Sequence, residues 1–418
     1  MEVATTRSLP VVEARPRFDG RLWVLVVGRF ITSAGHSISF PFFAIFVHLT
    51  LGVPMTIVGA IIFTGGLVGA FAKFVGGTLS DRIGRKTVMA AALLGRALAT
   101  GALGWIALAP HPAWQAIAAL YIAGTMTAFL FDSACQAMVA DLNDPRTRIF
   151  GYSLMRVGGN LGWATGAIVG GLIGAFGYAA MFFTTSIVTG AAFALLAIFI
   201  TETLKRPGPR EDGPPVPMLD CFRVPGFTVL CLGALLISAV MSQLIAPLSV
   251  FAKGHLGLPT RDTALLFTIN GIIIVLFQFP VARVISRMRL TTALVGGCLL
   301  YALGFVLVGW SLGFWSVALC VLVVSTGELF VAPSTISLSA NLAPPNRRGR
   351  YLGVYGFFEI LGRCSGPLLG GAMLDAFATR PGVPWAVVGA IALGAALCYG
   401  TLRRRMAVDA DRAHATVA

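Results

Sequence analysis

Eight ionisable side chains stand well inside long apolar runs of this 418-residue sequence: Arg29, Lys73, Arg96, Asp132, Arg156, Glu328, Glu359 and Arg363. A charge in hydrocarbon needs a counter-charge or a wet cavity, so each one marks a candidate site. At about 1.5 Å of rise per helical residue, Arg29, Lys73, Arg96, Asp132 and Arg156 reach similar depths. They form a belt of four cations and one anion, with Asp132–Arg156 as the expected pair. Two roles are open to this belt. It is either a brace between helices whose spare cations extend to the headgroups, or an electropositive vestibule that favours an anionic or amphiphilic ligand. Glu328 and Arg363 fall deeper, close to the midplane. Glu359 precedes Arg363 by one turn, the favourable order for an i,i+4 pair. That pairing leaves Glu328 alone, and an isolated carboxylate in a low dielectric is suited to loading and releasing a proton. The alternative is a static tie from Glu328 to Arg363. His36 shares a helix face with Arg29 and Ser33, and is either a titrating group or a ring hydrogen-bonded in packing. Glu328, Asp132 and His36 are thus the candidate proton-coupling residues. Arg29, Ser33, Arg156, Gln243, Asn270 and Arg363 are the candidate cavity residues.

Other chemistries lack their residues. The seven cysteines show neither a CxxC nor a Cys/His spacing, so no metal site or disulfide framework is expected. The apolar runs hold no paired aspartates for Mg²⁺ and no His/Glu metal spacing. An enzyme that modifies lipids in the membrane is therefore a remote alternative, and no cofactor is expected.

The elements that must position these groups follow from composition. Residues of the set AVILMFWYC make up 57% of the chain and charged residues 11%, against about 25% charged in soluble domains. This composition implies an all-α protein that crosses the bilayer many times. Segments long enough to span, about 20 apolar residues each, occur at 22–47, 55–79, 88–108, 113–140, 149–174, 178–202, 226–252, 262–285, 291–311, 314–340, 351–376 and 384–402. Twelve spans place both termini on one side. Of the 31 Lys and Arg residues, 23 lie in the tails, the even-to-odd loops and the central linker, while Lys253, Arg261 and Arg380 lie in the opposite loops. The positive-inside rule then puts both termini in the cytoplasm. The net charge of +14 is mainly an orientation signal, and no nucleic-acid partner is expected. The polar start, with Pro10 and Pro16, predicts no cleavable leader, so the first span is its own insertion signal.

The expected organisation is a cytoplasmic tail (1–21), a six-helix half (22–202), a proline-rich linker (203–225), a second six-helix half (226–402) and a C-terminal tail (403–418). The halves repeat. At a shift of 200 residues, Ala140, Leu142, Pro145, Arg148, Gly162, Gly166, Gly170 and Gly171 meet identical residues at 340, 342, 345, 348, 362, 366, 370 and 371 without a gap. Two such halves enclosing a cleft form a transporter architecture, with binding near the midplane. Pro41 and Pro247, near the outer ends of spans one and seven, are expected kinks.

After span two the chain reads Gly77-Thr78-Leu79-Ser80-Asp81-Arg82-Ile83-Gly84-Arg85-Lys86. This resembles the G-x-L-x-D-R-x-G-R-K loop of the major facilitator superfamily. Span eleven carries Gly362, Gly366, Pro367, Gly370 and Gly371, and so resembles that superfamily's G-x-x-x-G-P-x-x-G-G antiporter-type motif. The resemblance covers all twelve spans. It implies two pseudo-symmetric six-helix halves and alternating access, with spans one, four, seven and ten around the cavity. It also implies that Asp81 docks on the start of span eleven in the outward-facing state, with Arg82 and Arg85 completing a charge network. Gly162, Gly166, Gly170 and Gly171 with the span-eleven motif would be hinge and seal. Two departures stand out: Ala167 occupies the proline position in span five, and Asp132 is the charge that span four carries. The overall look resembles the bacterial drug:proton antiporter branch. The expected function is proton-coupled efflux of lipophilic or amphiphilic compounds by a monomer in the cytoplasmic membrane. Its partners would be the lipid bilayer, a small-molecule substrate and protons. A transporter of one anionic metabolite or lysolipid is the alternative.

Overall fold

Backbone amides in hydrocarbon have no water to bond, so each apolar run must close its hydrogen bonds within itself. The computed structural model describes residues 19–143, 148–204, 218–224, 226–343 and 348–412, and most of the linker lies outside them. Its helices are α1 (Gly20–Ile45), α2 (Met55–Ile83), α3 (Arg85–Ala107), α4 (Trp114–Leu142), α5 (Arg148–Ile173), α6 (Tyr178–Phe199), α7 (Phe227–Met241), α8 (Ala246–Gly254), α9 (Thr260–Ile285), α10 (Leu290–Val308), α11 (Phe314–Leu342), α12 (Arg348–Ala376) and α13 (Gly382–Arg405).

The seventh span is two helices, so the spans from eight to twelve are α9 to α13. Ser242–Leu244 form a 3₁₀ turn between α7 and α8, with Pro247 in the first turn of α8. A proline ring clashes with the carbonyl four residues earlier, here that of Gln243, which breaks the α-helical ladder at that point. Pro41 lies inside α1, which continues as a π-helix over Phe46–Thr50. Ten elements are apolar and long enough to span by composition alone, and α5 and α12 are the remaining two of twelve. Glycine adds little hydropathy, and these two helices hold Arg156, Glu359 and Arg363 among their glycines.

Packing follows the repeat. In the first half α1 lies against α5 and α6, α2 and α3 against α4, and α3 against α6. In the second half α7 lies against α12 and α13, α9 and α10 against α11, and α10 against α13. The halves meet through α2 with α12 and through α5 with α9. The protein is therefore an all-α, multi-pass membrane protein built from two pseudo-symmetric six-helix halves.

Candidate functional site

One cavity lies between the halves, and a second is lined by the first half together with Arg363. The central one, about 510 Å³, is lined by His36, Phe40, Arg96, Tyr121, Asn270, Glu328 and Pro367, among others. The second, about 490 Å³, is nearer the end that carries the termini and is lined by Arg29, Ser33, Asp132 and Arg156. Asn160, Trp163 and Arg363 line both, so the two are adjacent. The structure thus brings most of the expected cavity residues to these two adjacent cavities.

The belt divides into two groups. Arg29 and Lys73 hold Asp132 from α1 and α2, at 3.1 and 3.2 Å. Gln136 donates to the same carboxylate at 2.8 Å. Asp132 is therefore shared by two cations, and the expected Asp132–Arg156 pair does not form. Arg156 faces the second cavity instead. Helical azimuth decides this, since depth along a helix says nothing about direction around it. Arg96 leaves the belt altogether. α3 starts at Arg85, three residues before the expected boundary, which puts Arg96 at mid-helix and against the central cavity. Its guanidinium donates to His36 Nδ1 at 2.7 Å. Arginine has no acceptor, so His36 is the acceptor here, a neutral ring with its proton on Nε2. This geometry matches the packing alternative for His36.

Arg363 and Glu359 pair on α12 at 2.8 Å, as their spacing predicts. Glu328 has no ion pair among the described residues. It accepts from Asn270 Nδ2 at 3.1 Å, and the same amide donates to Ser325 Oγ at 2.9 Å. The static Glu328–Arg363 tie is therefore absent from this conformation. Gln243 requires a correction, because it is buried and lines neither cavity. Its Nε2 donates to Gly366 O at 2.7 Å and Ala239 O at 3.2 Å, tying α7 to α12. The 3₁₀ turn that contains it rotates the side chain off the face that unbroken helical spacing predicts. Ser33 lines the second cavity while donating to Gly159 O at 2.6 Å across the α1–α5 seam.

The repeated glycines form two equivalent seams. A Cβ on Gly162, Gly166 or Gly170 would strike the backbone of α1 at Phe30, Ala34 and Ile38. On Gly362, Gly366 or Gly370 it would strike α7 or the turn after it, at Leu235, Ala239 and Gln243. Small residues four apart let the helices approach this closely. The fourth glycine of each set faces the other half: Gly171 meets Ala264 of α9, and Gly371 meets Met55 of α2. Pro367 also faces across, its carbonyl lying against Gly59 of α2. Most of the motif is thus a seam within a half, and only its far end seals between halves.

In the loop after α2, Asp81 pairs with Arg85, which also reaches Asp141 of α4 at 3.1 Å. Gly84 turns the chain at φ +106°, a conformation that favours glycine. Beyond it, Arg85 and Lys86 present backbone N–H groups to the Glu202 carboxylate at 2.9 and 3.1 Å. An acidic group there complements the positive end of α3. Gly77 lies beside Ser133 of α4, and Arg82 is exposed in the last turn of α2. The side chains at the start of α12, where Asp81 is expected to dock in another state, lie outside the described residues.

The two ends of the molecule differ. Asp375 at the end of α12 accepts from the N–H groups of Met55 and Thr56 in the first half, at 3.0 and 2.7 Å. Lys253 of α8 donates to Tyr178 of α6 at 3.2 Å and to Thr260 at 2.6 Å. These contacts, with Gly171 and Gly371, close the end opposite the termini. At the termini end the ion pairs of Arg85 and of Arg289, which holds Asp411 at 2.6 Å, each stay within one half. Among the described residues, the polar contacts between the halves lie at the opposite end.

The family model described as Major Facilitator Superfamily matches residues 25–367 and 230–415. The chain belongs to the Major Facilitator Superfamily. An uncharacterized MFS-type transporter of Bacillus subtilis (strain 168), YqjV, is 25% identical over 378 residues, covering 89% of this chain and 90% of its own. The multidrug resistance protein MdtH of Edwardsiella ictaluri (strain 93-146) is 28% identical over 380 residues, covering 89% and 91%. The crystal structure of the nucleoside transporter NupG matches with a TM-score of 0.77 at 13% identity, covering 92% of this chain and 100% of that one. The superfamily's transporter function and multi-pass architecture carry over, so small molecules crossing a bilayer are its business.

Several lining residues of this superfamily member escaped the sequence reading. Asn160 and Trp163 line both cavities, at i+4 and i+7 from Arg156 on one face of α5. Tyr121 and Thr125 continue the stripe of α4 that ends at Asp132. The periodicity was there to find, but it does not say which of several polar stripes faces the cavity.

Proposed function

We propose that this chain is a proton-coupled exporter of lipophilic or amphiphilic compounds, with Glu328 as the proton site. The observation that carries the reading is the isolation of Glu328. It sits in a mostly aromatic and aliphatic cavity with an amide as its hydrogen-bond partner and no cation bound to it among the described residues. Such a carboxylate can change charge without breaking an ion pair. In the outward-facing state it takes a proton from outside. In the inward-facing state substrate entry favours its release, so the two compete for one cavity. Asp132, already neutralised by Arg29 and Lys73, serves as a brace under this reading.

The loop charges support a cytoplasmic location for both termini. The conformation described is then inward-open, with Asp375 and Lys253 at the outer gate. Closing the inner end would bring Asp81 toward the start of α12. The two halves, 22–202 and 226–402, act as the rocking bodies of a monomer joined by the 203–225 linker, most of which lies outside the described residues. The relatives named multidrug resistance protein support drug-like molecules as the cargo. Transport of one anionic metabolite or lysolipid is a second reading, favoured by Arg29, Arg156 and Arg363 around the second cavity.

The test is transport in inside-out vesicles with an imposed proton gradient. Wild type accumulates a lipophilic substrate and releases protons in response, while Glu328→Gln exchanges substrate down its gradient but no longer accumulates it. Accumulation that survives in Glu328→Gln removes Glu328 as the coupling residue.

A further inference from the structure

One cation at the central cavity, Arg96, is buried and has no ion pair among the described residues. Arg96 is 7% exposed, yet it lines the central cavity at the middle of α3. The other carboxylates inside the spans are engaged: Asp132 with Arg29 and Lys73, Glu359 with Arg363, and Glu328 with Asn270. The side-chain hydrogen bond of Arg96 among the described residues goes to the neutral ring of His36. A buried charge balanced only by a neutral acceptor is expensive to maintain, and a guanidinium at this depth is retained where it has work to do. Arg156 also lacks an ion pair among the described residues, but it is exposed to the second cavity and can be hydrated.

The surroundings of Arg96 describe the rest of a ligand. His36 lies 4.4 Å from the ring of Phe40 and 5.7 Å from that of Trp163, so its position is set by packing. Phe40 in turn stacks on Tyr121 at 6.3 Å, giving a continuous aromatic wall beside the guanidinium. A planar fork of donors beside an apolar wall matches a carboxylate attached to a flat hydrophobic body. The cavity volume, about 510 Å³, suits a drug-sized molecule.

We propose that Arg96, positioned by His36, is an anion anchor, and that the cargo is a compact amphiphilic organic monoanion. Its carboxylate docks on the Arg96 guanidinium, and its aromatic or alkyl body lies along Phe40, Tyr121 and Trp163. Arg29, Arg156 and Arg363 in the second cavity raise the local concentration of such an anion on its way to the centre. The proposal deepens the export reading by naming the class of substrate, and it rests on that reading for the cavity being the transport site.

The experiment is equilibrium binding to the full-length protein in lipid nanodiscs, with labelled naphthylacetate and, as competitors, its neutral amide and naphthylethylamine. The three share a ring and differ in charge. The acid is expected to bind more tightly than the amide by about tenfold or more, the effect of one charge-assisted contact. The amine is expected not to compete over the same range. In Arg96→Gln the gap between acid and amide closes, and in Arg96→Lys part of it returns. Equal affinities across the series, preference for the amine, or no binding of the acid up to millimolar concentration overturns the anchor. So does a folded Arg96→Gln protein that keeps the gap. The wild-type series needs no variant, so a folding defect cannot mask the result. The measurement runs without a proton gradient and does not depend on whether Glu328 couples, so each reading can fail while the other stands.

Discussion

In the first half, the carboxylate deep within α4, Asp132, is held by Arg29 and Lys73 at 3.1 and 3.2 Å. In the second half, the carboxylate of the equivalent helix α11, Glu328, accepts from Asn270 and has no cation among the described residues. The two are not equivalent positions. At the 200-residue shift Glu328 corresponds to Ala128 and Asp132 to Ala332, one turn apart on a duplicated helix. That turn puts Asp132 among the cations of α1 and α2, and Glu328 at the central cavity. The glycine seams, by contrast, are conserved in geometry between the halves, α5 on α1 and α12 on α7. The difference teaches that duplication supplied the scaffold, while each half placed its own charges on it. The capping of the third helix in each half tells the same story. Glu202 caps α3 and Asp411 caps α10, each from the segment after the half's sixth helix.

The comparison can be broken by substitution. The largest contrast is functional: Glu328→Gln is expected to remove uphill accumulation with little change in thermal stability, and Asp132→Asn to keep coupled transport. The reverse result in the vesicle assay would exchange the two roles. Next are the seams. Gly162→Leu and Gly362→Leu each force a side chain into a neighbouring backbone, at an expected cost of about 3 kcal/mol. Equal losses of thermal stability confirm that the seams are equivalent, and a loss in one half alone refutes it. Asp132→Asn leaves Arg29 and Lys73 without their anion. Both cations are more than a third exposed, so screening limits the cost to about 1 kcal/mol. Matched denaturation curves would show no bracing role.

The smallest effect is at the helix starts. Asp19 caps α1 by accepting from the Arg21 N–H at 2.8 Å, whereas α7 is preceded by Gly226, φ +88°, with no side-chain cap. Hydrogen bonding to the Arg21 side chain holds the Asp19 carboxyl below its ordinary value of 3.8. Because the folded value is the lower one, the contribution is complete above the unfolded value and is lost as pH falls through the folded one. Losing this cap in Asp19→Ala is expected to lower stability by about 0.5 kcal/mol at neutral pH. A difference from wild type that persists in strong acid would assign its effect to packing instead.

Much of the fold was legible because its signals are local. Run length marks the twelve spans, and glycine spacing marks the seams. The Glu359–Arg363 pair was legible for the same reason, since i,i+4 neighbours on a helix must meet. Arg96 was misplaced by three residues of boundary error at the start of α3. Gln243 turns away from the cavities because a helical wheel cannot be carried through the break before Pro247.

By itself, then, the sequence determined how often the chain spans, how its basic loops are sided, that its halves repeat, and which residues carry charge into the bilayer. These depend on length, composition and short spacings. Only the tertiary structure decided who meets whom: Asp132 with Arg29 across 103 residues, Arg96 with His36 across 60, and Glu328 with Asn270 across 58. The physical reason is rotational. A helix in a bundle can turn about its axis at no change in its own hydrogen bonds, so packing against its neighbours chooses which polar stripe faces the cavity.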